Sequence, residues 1–380
     1  MAAQQLSDPA PRDPLQLVRD LECIQLDPVA LLGRNQDLVL GARLQRSPQG
    51  ILDALLSQGD LIEYEANAAS IMPIEDMVWL KGIQLRMRQA LQPQLDSMES
   101  VVEHVLKRLN QEGPLPARAF LTQQRVAGYW DTDVATTKAT SHALNLLRDA
   151  GIIRVVARDG GHRLFDLMER GLRSSVVDAW RAISPEEADR GLLYKYVRAY
   201  GVMDIGDPRF GWRRMRMKDR QDQVKHLLET RRITPLAIEG VDRSYYANTE
   251  SLELLEQCRH RSEPRGEEAP IRFLPPLDNL LWRRERLQDI FDFNYRWEIY
   301  IPQSKRQFGA YVMPILSGST LIGRLSARTI RDSQTLQVIG TWWEPSTRRT
   351  KALGKRALQG VENFSRHLGM QQFEFLQPMV

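Results

Sequence analysis

Cysteine is almost absent: 380 residues carry only Cys23 and Cys258. Two thiols so far apart argue against a disulfide framework and a cysteine-based zinc site, and they fit a reducing compartment. The six histidines (His104, His142, His162, His226, His260 and His367) show no metal-ligand spacing, so no metal is expected. Long apolar runs are also missing. None nears the roughly 20 residues needed to span a bilayer, and the opening stretch MAAQQLSDPAPRDP has neither a basic nor an apolar signal region. Residues 1–14 read as a short disordered lead. The chain is expected to be soluble and cytoplasmic (nucleoid-associated in a bacterium), with no membrane contact. It has no GxxxxGK[ST] phosphate loop, no GxGxxG after a strand and no GxSxG elbow. No nucleotide cofactor, nor any other cofactor, is therefore expected. A dominant charge sign is lacking too: 52 Lys+Arg against 48 Asp+Glu leave a net +4. A surface for an anionic partner must then be local.

What is present is helix and strand periodicity in a repeated order. Leu15, Leu17, Val18 and Leu21 form one helical stripe, interrupted by Ile24-Gln25-Leu26-Asp27-Pro28. Pro28 disfavours helix at Asp27, so this segment reads as extended or turned. Ile51, Leu52, Leu55 and Leu56 rebuild a helix, and Leu61–Tyr64 reads as a short strand. Helices follow over 101–109, 117–121 and 136–149, then strands at 152–156 and 163–167 around Asp159-Gly160-Gly161, a hairpin signal. Helices at 186–200 and 224–231 with strands at 233–238 and 243–247 repeat the order loosely, and 261–269 is a polar linker. The last part alternates apolar residues at Tyr295, Trp297, Ile299 and Ile301. It then shows a turn at 302–307, strands at 312–316 and 320–326, and a helix over 347–368. The reading is α+β: tandem helix-turn-helix units of the winged-helix type, then a C-terminal antiparallel sheet with a terminal helix. The segments are 15–98 (a degenerate first unit), 99–180, 181–260 and 261–380.

Several groups invite a chemical reading. In an extended segment Gln25 and Asp27 point the same way, so both can face one target while Leu26 anchors the segment. The alternative is a surface Gln and an Asp capping the helix after Pro28. Lys305 and Arg306 sit in the 302–307 turn, where they can reach a DNA groove or backbone, or simply keep the turn solvated. Basic runs at Arg283, Arg284 and Arg286, at Arg213–Arg220 and at Arg348–Arg356 carry the same two readings. Thr136, Thr137, Lys138 and Ser141 open the helix that a DNA-reading unit would place in the major groove.

Block 273–324 (FLPPLDNLLWRRERLQDIFDFNYRWEIYIPQSKRQFGAYVMPILSGSTLIGR) resembles the C-terminal part of the winged-helix DNA glycosylases of the AlkZ/YcaQ type. Gly128-Tyr129-Trp130, Thr137-Lys138, Ala143-Leu144, Gly151, Arg158, Arg163 and Phe165-Asp166-Leu167 resemble that family's second module. The N-terminal match completes a resemblance over most of 15–345. It implies that Gln25-Leu26-Asp27 is the Gln-apolar-Asp form of the family's catalytic motif. It also implies that the units form a concave DNA-binding surface and that Lys305, Arg306, Arg283, Arg284, Lys138, Arg34 and Asn67 contact DNA. At 67–70 the family usually has His-Glu-Ala-Ser, whereas this chain has Asn67-Ala68-Ala69-Ser70. The histidines that often follow the family's Arg are here Asn35 and Gln36.

The implied activity is that of a monofunctional glycosylase, monomeric, acting on double-stranded DNA with alkylated purines, including bulky adducts and interstrand cross-links. A purine alkylated at N7 is cationic and departs as a neutral base, so the demand falls on stabilising the sugar cation and directing a water. Asp27 can do both, and Gln25 can hold the water without adding charge. No lysine lies beside the motif in sequence, which favours hydrolysis. The competing class is a non-catalytic winged-helix DNA-binding protein or transcriptional regulator.

Overall fold

The computed structural model describes residues 1–6, 13–128, 131, 135–260 and 269–378, without the side chains of 255 and 257–260. The linker expected over 261–269 falls outside these residues except for Ala269, as do Tyr129 and Trp130. The chain divides into two units. One holds Met1–Gly50, Ala66–Ser70 and Tyr194–Val380; the other holds Ile51–Glu65 and Ile71–Leu193. This division is coarser than the segments expected from sequence. Among the described residues no helix is long and apolar enough to cross a membrane.

In the second unit, helix Glu99–Glu112 buries Val105 and Leu109, and helix Ala139–Asp149 buries Ala143, Leu144, Leu146 and Leu147. These are the i, i+3, i+4 positions that give a helix one apolar face. The hairpin Ile153–Asp159 and His162–Leu167 follows, with Asp159 opposite His162. Gly160 and Gly161 take φ of 55° and 84° at its tip. Two successive left-handed residues make the turn that matches strand twist, and glycine takes that geometry without a Cβ clash. Gly191 has a different reason: a Cβ there would lie 1.9 Å from the Trp79 ring.

The order helix, strand, helix, helix, hairpin recurs. Three small sheets among the described residues share one connectivity. They are Ile24–Gln25 with Ala68–Pro73 and Leu61–Ala66, Leu115–Pro116 with His162–Leu167 and Ile153–Asp159, and Val202–Met203 with Tyr245–Asn248 and Ile233–Leu236. In each, the first strand in the chain pairs with the last, and the second lies on the far side. The helix expected at 117–121 is a single 3-10 turn, Ala117–Ala119.

The first unit is dominated by a five-stranded sheet in the order Ile271–Phe273, Val312–Ser317, Thr320–Ile330, Thr335–Trp343, Gln372–Phe375. Four strands are antiparallel. The last, after the terminal helix Lys351–His367, adds in parallel. Leu353, Val361 and Phe364 of that helix pack on Phe273, Met313, Ile315 and Val338.

Two expectations are corrected. Residues 295–301 do not form a strand. Phe293 and Tyr295 are buried and Asn294 and Arg296 exposed, but the alternation ends there: Glu298 is buried and Trp297, Ile299 and Ile301 are only half-buried. Backbone pairing is replaced by side-chain anchors: the Tyr295 hydroxyl donates to the Val312 carbonyl (2.6 Å), and the Glu298 carboxylate accepts from the N–H groups of Gln307, Phe308 and Gly309. Met1–Leu6 is not a disordered lead either. Leu6 is fully buried against Leu280, Leu281 and Leu287, and the Leu6 and Gln4 carbonyls accept from Arg272 and Arg43.

Arg43 and Asp278, both with side chains 0% exposed, pair bidentately at 2.6 and 3.0 Å, and Arg43 also donates to the Val39 carbonyl. Asp278→Ala leaves a buried guanidinium without its counter-charge. Unfolding free energy by denaturant titration should fall by about 3–5 kcal/mol, and the double variant Arg43→Met/Asp278→Leu should regain most of it.

Candidate active site

Helix Pro14–Leu21 ends at Glu22, which takes φ 67° and turns the chain out of the helix. The Asn279 amide donates to the Leu21 and Cys23 carbonyls (3.1 and 2.9 Å) and fixes the exit. The next residues form the short strand Ile24–Gln25. Ile24 is fully buried and anchors it, whereas Leu26, the expected anchor, is half-buried. The Leu26 N–H donates to the Ala69 carbonyl (2.8 Å), and the Asn35 amide donates to the Gln25 carbonyl (2.8 Å). The backbone of Gln25 is thus clamped from both sides.

The side chain of Gln25 is buried, and its Oε1 accepts from Asn67 Nδ2 at 3.4 Å, long for such a bond. Asn67 Oδ1 in turn accepts from Arg209 Nη1 at 2.8 Å. Asn67 has 0% exposure, so it has no surface for DNA and instead supports Gln25. Asp27 is half-buried. Its Oδ1 accepts from the Val29 N–H (3.0 Å) in a local turn across Pro28 rather than at a helix start, since the next helix begins at Asn35. Burial raises the Asp27 carboxyl above its ordinary 3.8, with the Val29 N–H opposing. Burial and then the charges of Tyr295 and Asp27 push the hydroxyl of the buried Tyr311 well above the usual phenol range, so it stays protonated beside the carboxylate. Cys23 is fully buried and burial pushes its thiol up to about 12, which makes it a poor nucleophile.

Lysines offer no competing chemistry in this unit's motif. Lys195 is buried and its Nζ lies 2.6 Å from Glu22, which also pairs with Arg198. In the second unit, Lys81 donates to the Arg181 and Ile183 carbonyls, and Lys138 is exposed at the start of helix Ala139–Asp149. Among the described residues no group of three or more His, Cys, Asp or Glu is placed to hold a metal ion.

The other expected DNA contacts divide by what already holds them. Arg34 grips Asp37 through Nε and Nη2 (2.7 and 3.0 Å). Arg283 is buried and bidentate on Asp204 (2.7 and 3.0 Å), and Arg286 is buried on carbonyls of Tyr200, Val202 and Leu280. These two hold the fold and offer DNA no accessible fork. Arg284 stacks on the Tyr295 ring at 4.4 Å and donates to the Pro276 carbonyl. Arg306 donates to the Ile301 and Ile299 carbonyls and closes the turn, while Lys305 is exposed. Sequence reasoning missed Arg209 and Tyr311. Asp207-Pro208 marks a turn, and Asp207 Oδ1 does accept the Arg209 N–H (2.9 Å), but no local signal places Arg209 on Asn67.

The family described as DNA glycosylase AlkZ-like matches residues 18–362. Among solved structures, Streptomyces sahachiroi DNA glycosylase AlkZ is similar with a TM-score of 0.60 at 15% identity, over 98% of this chain and 96% of that one. At that identity the likeness is one of fold.

The pairing pattern separates two arginine and lysine roles. Arg283→Ala should lower unfolding free energy by about 3–5 kcal/mol, because buried Asp204 loses its main partner. Lys305→Ala should leave the melting temperature unchanged and weaken duplex binding, read by fluorescence anisotropy. The reverse pattern would reassign both residues.

Proposed function

The chain belongs to the AlkZ-like DNA glycosylase family, and from that premise we propose that this DNA glycosylase hydrolyses the N-glycosidic bond of N7-alkylated purines in duplex DNA, with Asp27 and Gln25 as the catalytic pair. Bulky adducts and interstrand cross-links are within the proposed range. The observation that carries the reading is a half-buried carboxylate of raised pKa, two residues from a buried amide whose backbone and side chain are both held.

The leaving base needs little acid catalysis, since an N7-alkylated purine departs neutral. The barrier lies in the cationic sugar and in placing the water. A carboxylate in partly desolvated surroundings stabilises that cation more than a solvated one does, because the local dielectric is lower. Its raised pKa also makes it a better proton acceptor for the attacking water. Gln25 hydrogen-bonds the water or the sugar-phosphate and contributes no charge that would compete with Asp27. With Lys195 engaged by Glu22, hydrolysis to an abasic site is favoured over an amine-linked intermediate. The repeated helix-and-hairpin units are read as winged-helix modules carrying DNA contacts, and the protein as a cytoplasmic monomer.

Asp27→Asn should reduce base release from a duplex carrying N7-methylguanine by about 10²–10⁴-fold, with duplex affinity retained. Alkaline cleavage at abasic sites measures the first and anisotropy the second. The pH profile has a definite sign. Asp27 acts ionised, so the rate falls as pH drops through its folded pKa, and that acid limb should lie above 3.8. Since the folded pKa is raised, folding favours the protonated form. Asp27 therefore contributes stability below 3.8 that is lost as pH rises through the folded value, opposite to its effect on rate. Undiminished base release by Asp27→Asn would overturn the assignment.

A further inference from the structure

Arg209 differs from the ion-paired arginines of its unit. Arg34, Arg43, Arg198, Arg243, Arg283 and Arg324 each pair with a carboxylate: Asp37, Asp278, Glu22, Asp289, Asp204 and Glu344. Arg209 is exposed, and none of the described carboxylates pairs with its guanidinium. Its Nη1 is spent on Asn67, leaving the rest of the fork open. Arg284 offers no such edge: its Nη1 is buried, its Nη2 donates to the Pro276 carbonyl and its plane stacks on the Tyr295 ring. The open edge of Arg209 is the local site for an anion.

The hydrogen bonds decide how this site reaches the motif. A guanidinium can only donate, so the Asn67 atom facing Arg209 must be its carbonyl oxygen. The Asn67 NH₂ then faces Gln25 and must meet an acceptor, Oε1. Gln25 is left with its own NH₂ as the group available to a water or sugar oxygen.

We propose that Arg209 binds a backbone phosphodiester of the substrate strand with the edge that Asn67 leaves free, and that Arg209 and Asn67 act as positioning residues that fix Gln25 as a hydrogen-bond donor. Strand placement and the orientation of the catalytic amide are tied through one guanidinium. The inference rests on the assignment of Gln25 and Asp27 above and adds the ligand and the residues that aim the amide.

The test uses the full chain, with undamaged duplex for binding and N7-methylguanine duplex for single-turnover base release. Arg209→Ala should reduce the slope of log affinity against log salt by about 1 and slow base release at saturating enzyme by about 10-fold or more. Asn67→Ala removes the donor to Gln25 without placing a carboxylate on Arg209, so it should slow base release while leaving the salt slope unchanged. Arg209→Lys should retain the slope and recover only part of the rate, since an ammonium lacks the fork that serves both partners. Arg209→Lys keeps a donor for the buried Asn67 oxygen and should melt as the parent does, whereas Arg209→Ala and Asn67→Ala each leave a buried polar group unpaired, so all rates and slopes are taken well below the melting transition of each variant. An unchanged salt slope in Arg209→Ala would overturn the phosphodiester site, and an unchanged rate would overturn the coupling. Asp27→Asn is run alongside: loss of activity there with a fully active Arg209→Ala refutes this inference alone, whereas an active Asp27→Asn refutes the catalytic assignment beneath it.

Discussion

The hairpin tip Ala66–Ser70 lying against Ile24–Leu26 is the constraint on which the candidate site depends. The pairing of strand Ile24–Gln25 with strand Ala68–Pro73, extended by the Leu26 N–H to Ala69 carbonyl bond, sets the register. That register brings Asn67 under Gln25, and Ser70 and the Asn67 backbone against the Cys23 thiol. The tip holds Ala68 at φ 64°, a left-handed conformation that costs an alanine about 1–2 kcal/mol. The neighbours on both sides oppose its release: Asn67 is bonded to Gln25 and Arg209, Ala69 to Leu26. Strain of this kind persists where surrounding contacts over-determine the backbone. Side chains 42 residues apart in sequence thereby meet with defined donor and acceptor ends.

The same unit shows why a DNA-acting protein can have a net charge of only +4. Many of its arginines are structural. Arg43 on Asp278 and Arg283 on Asp204 sit where water is excluded, and each ties together segments far apart in sequence. Bidentate geometry suits arginine to this task better than lysine. Counting cations along the chain therefore overstates the surface offered to phosphate. A cation without a carboxylate partner, such as Arg209 or the exposed Lys305, carries more weight than a run of several.

Local elements were legible in the sequence because their physics is local. The 3.6-residue stripe of Val105 and Leu109, the stop at Gly151 and the Gly160-Gly161 turn depend on neighbours within a few residues. Strand 295–301 was misread because alternation reports side-chain burial, and burial here comes from a loop laid over the sheet and tied by Tyr295 and Glu298. Gln25 and Asp27 could be singled out from Pro28 and from spacing, with the family resemblance raising their weight. The Asn67–Arg209 contact spans 142 residues and leaves no periodic trace. The basic run at Arg283–Arg286 shows the converse: charge density is visible in sequence, but its neutralisation by Asp204, far upstream, is not.

Asparagine where the resembling family usually has histidine changes the electrostatics of the support rather than its shape. A histidine there would titrate near neutrality and, when protonated, would place a second cation beside Arg209. An amide offers one acceptor and one donor group at every pH, so the orientation it imposes on Gln25 does not vary with protonation. It also fits a position of 0% exposure at low cost, since both of its ends are bonded and no charge is desolvated. The neighbouring groups that titrate are biased away from change near neutrality: Cys23 and Tyr311 are both pushed upward by burial and stay protonated. Asp27 is then the charge that the proposed chemistry uses, beside a thiol and a phenol that hold their protons.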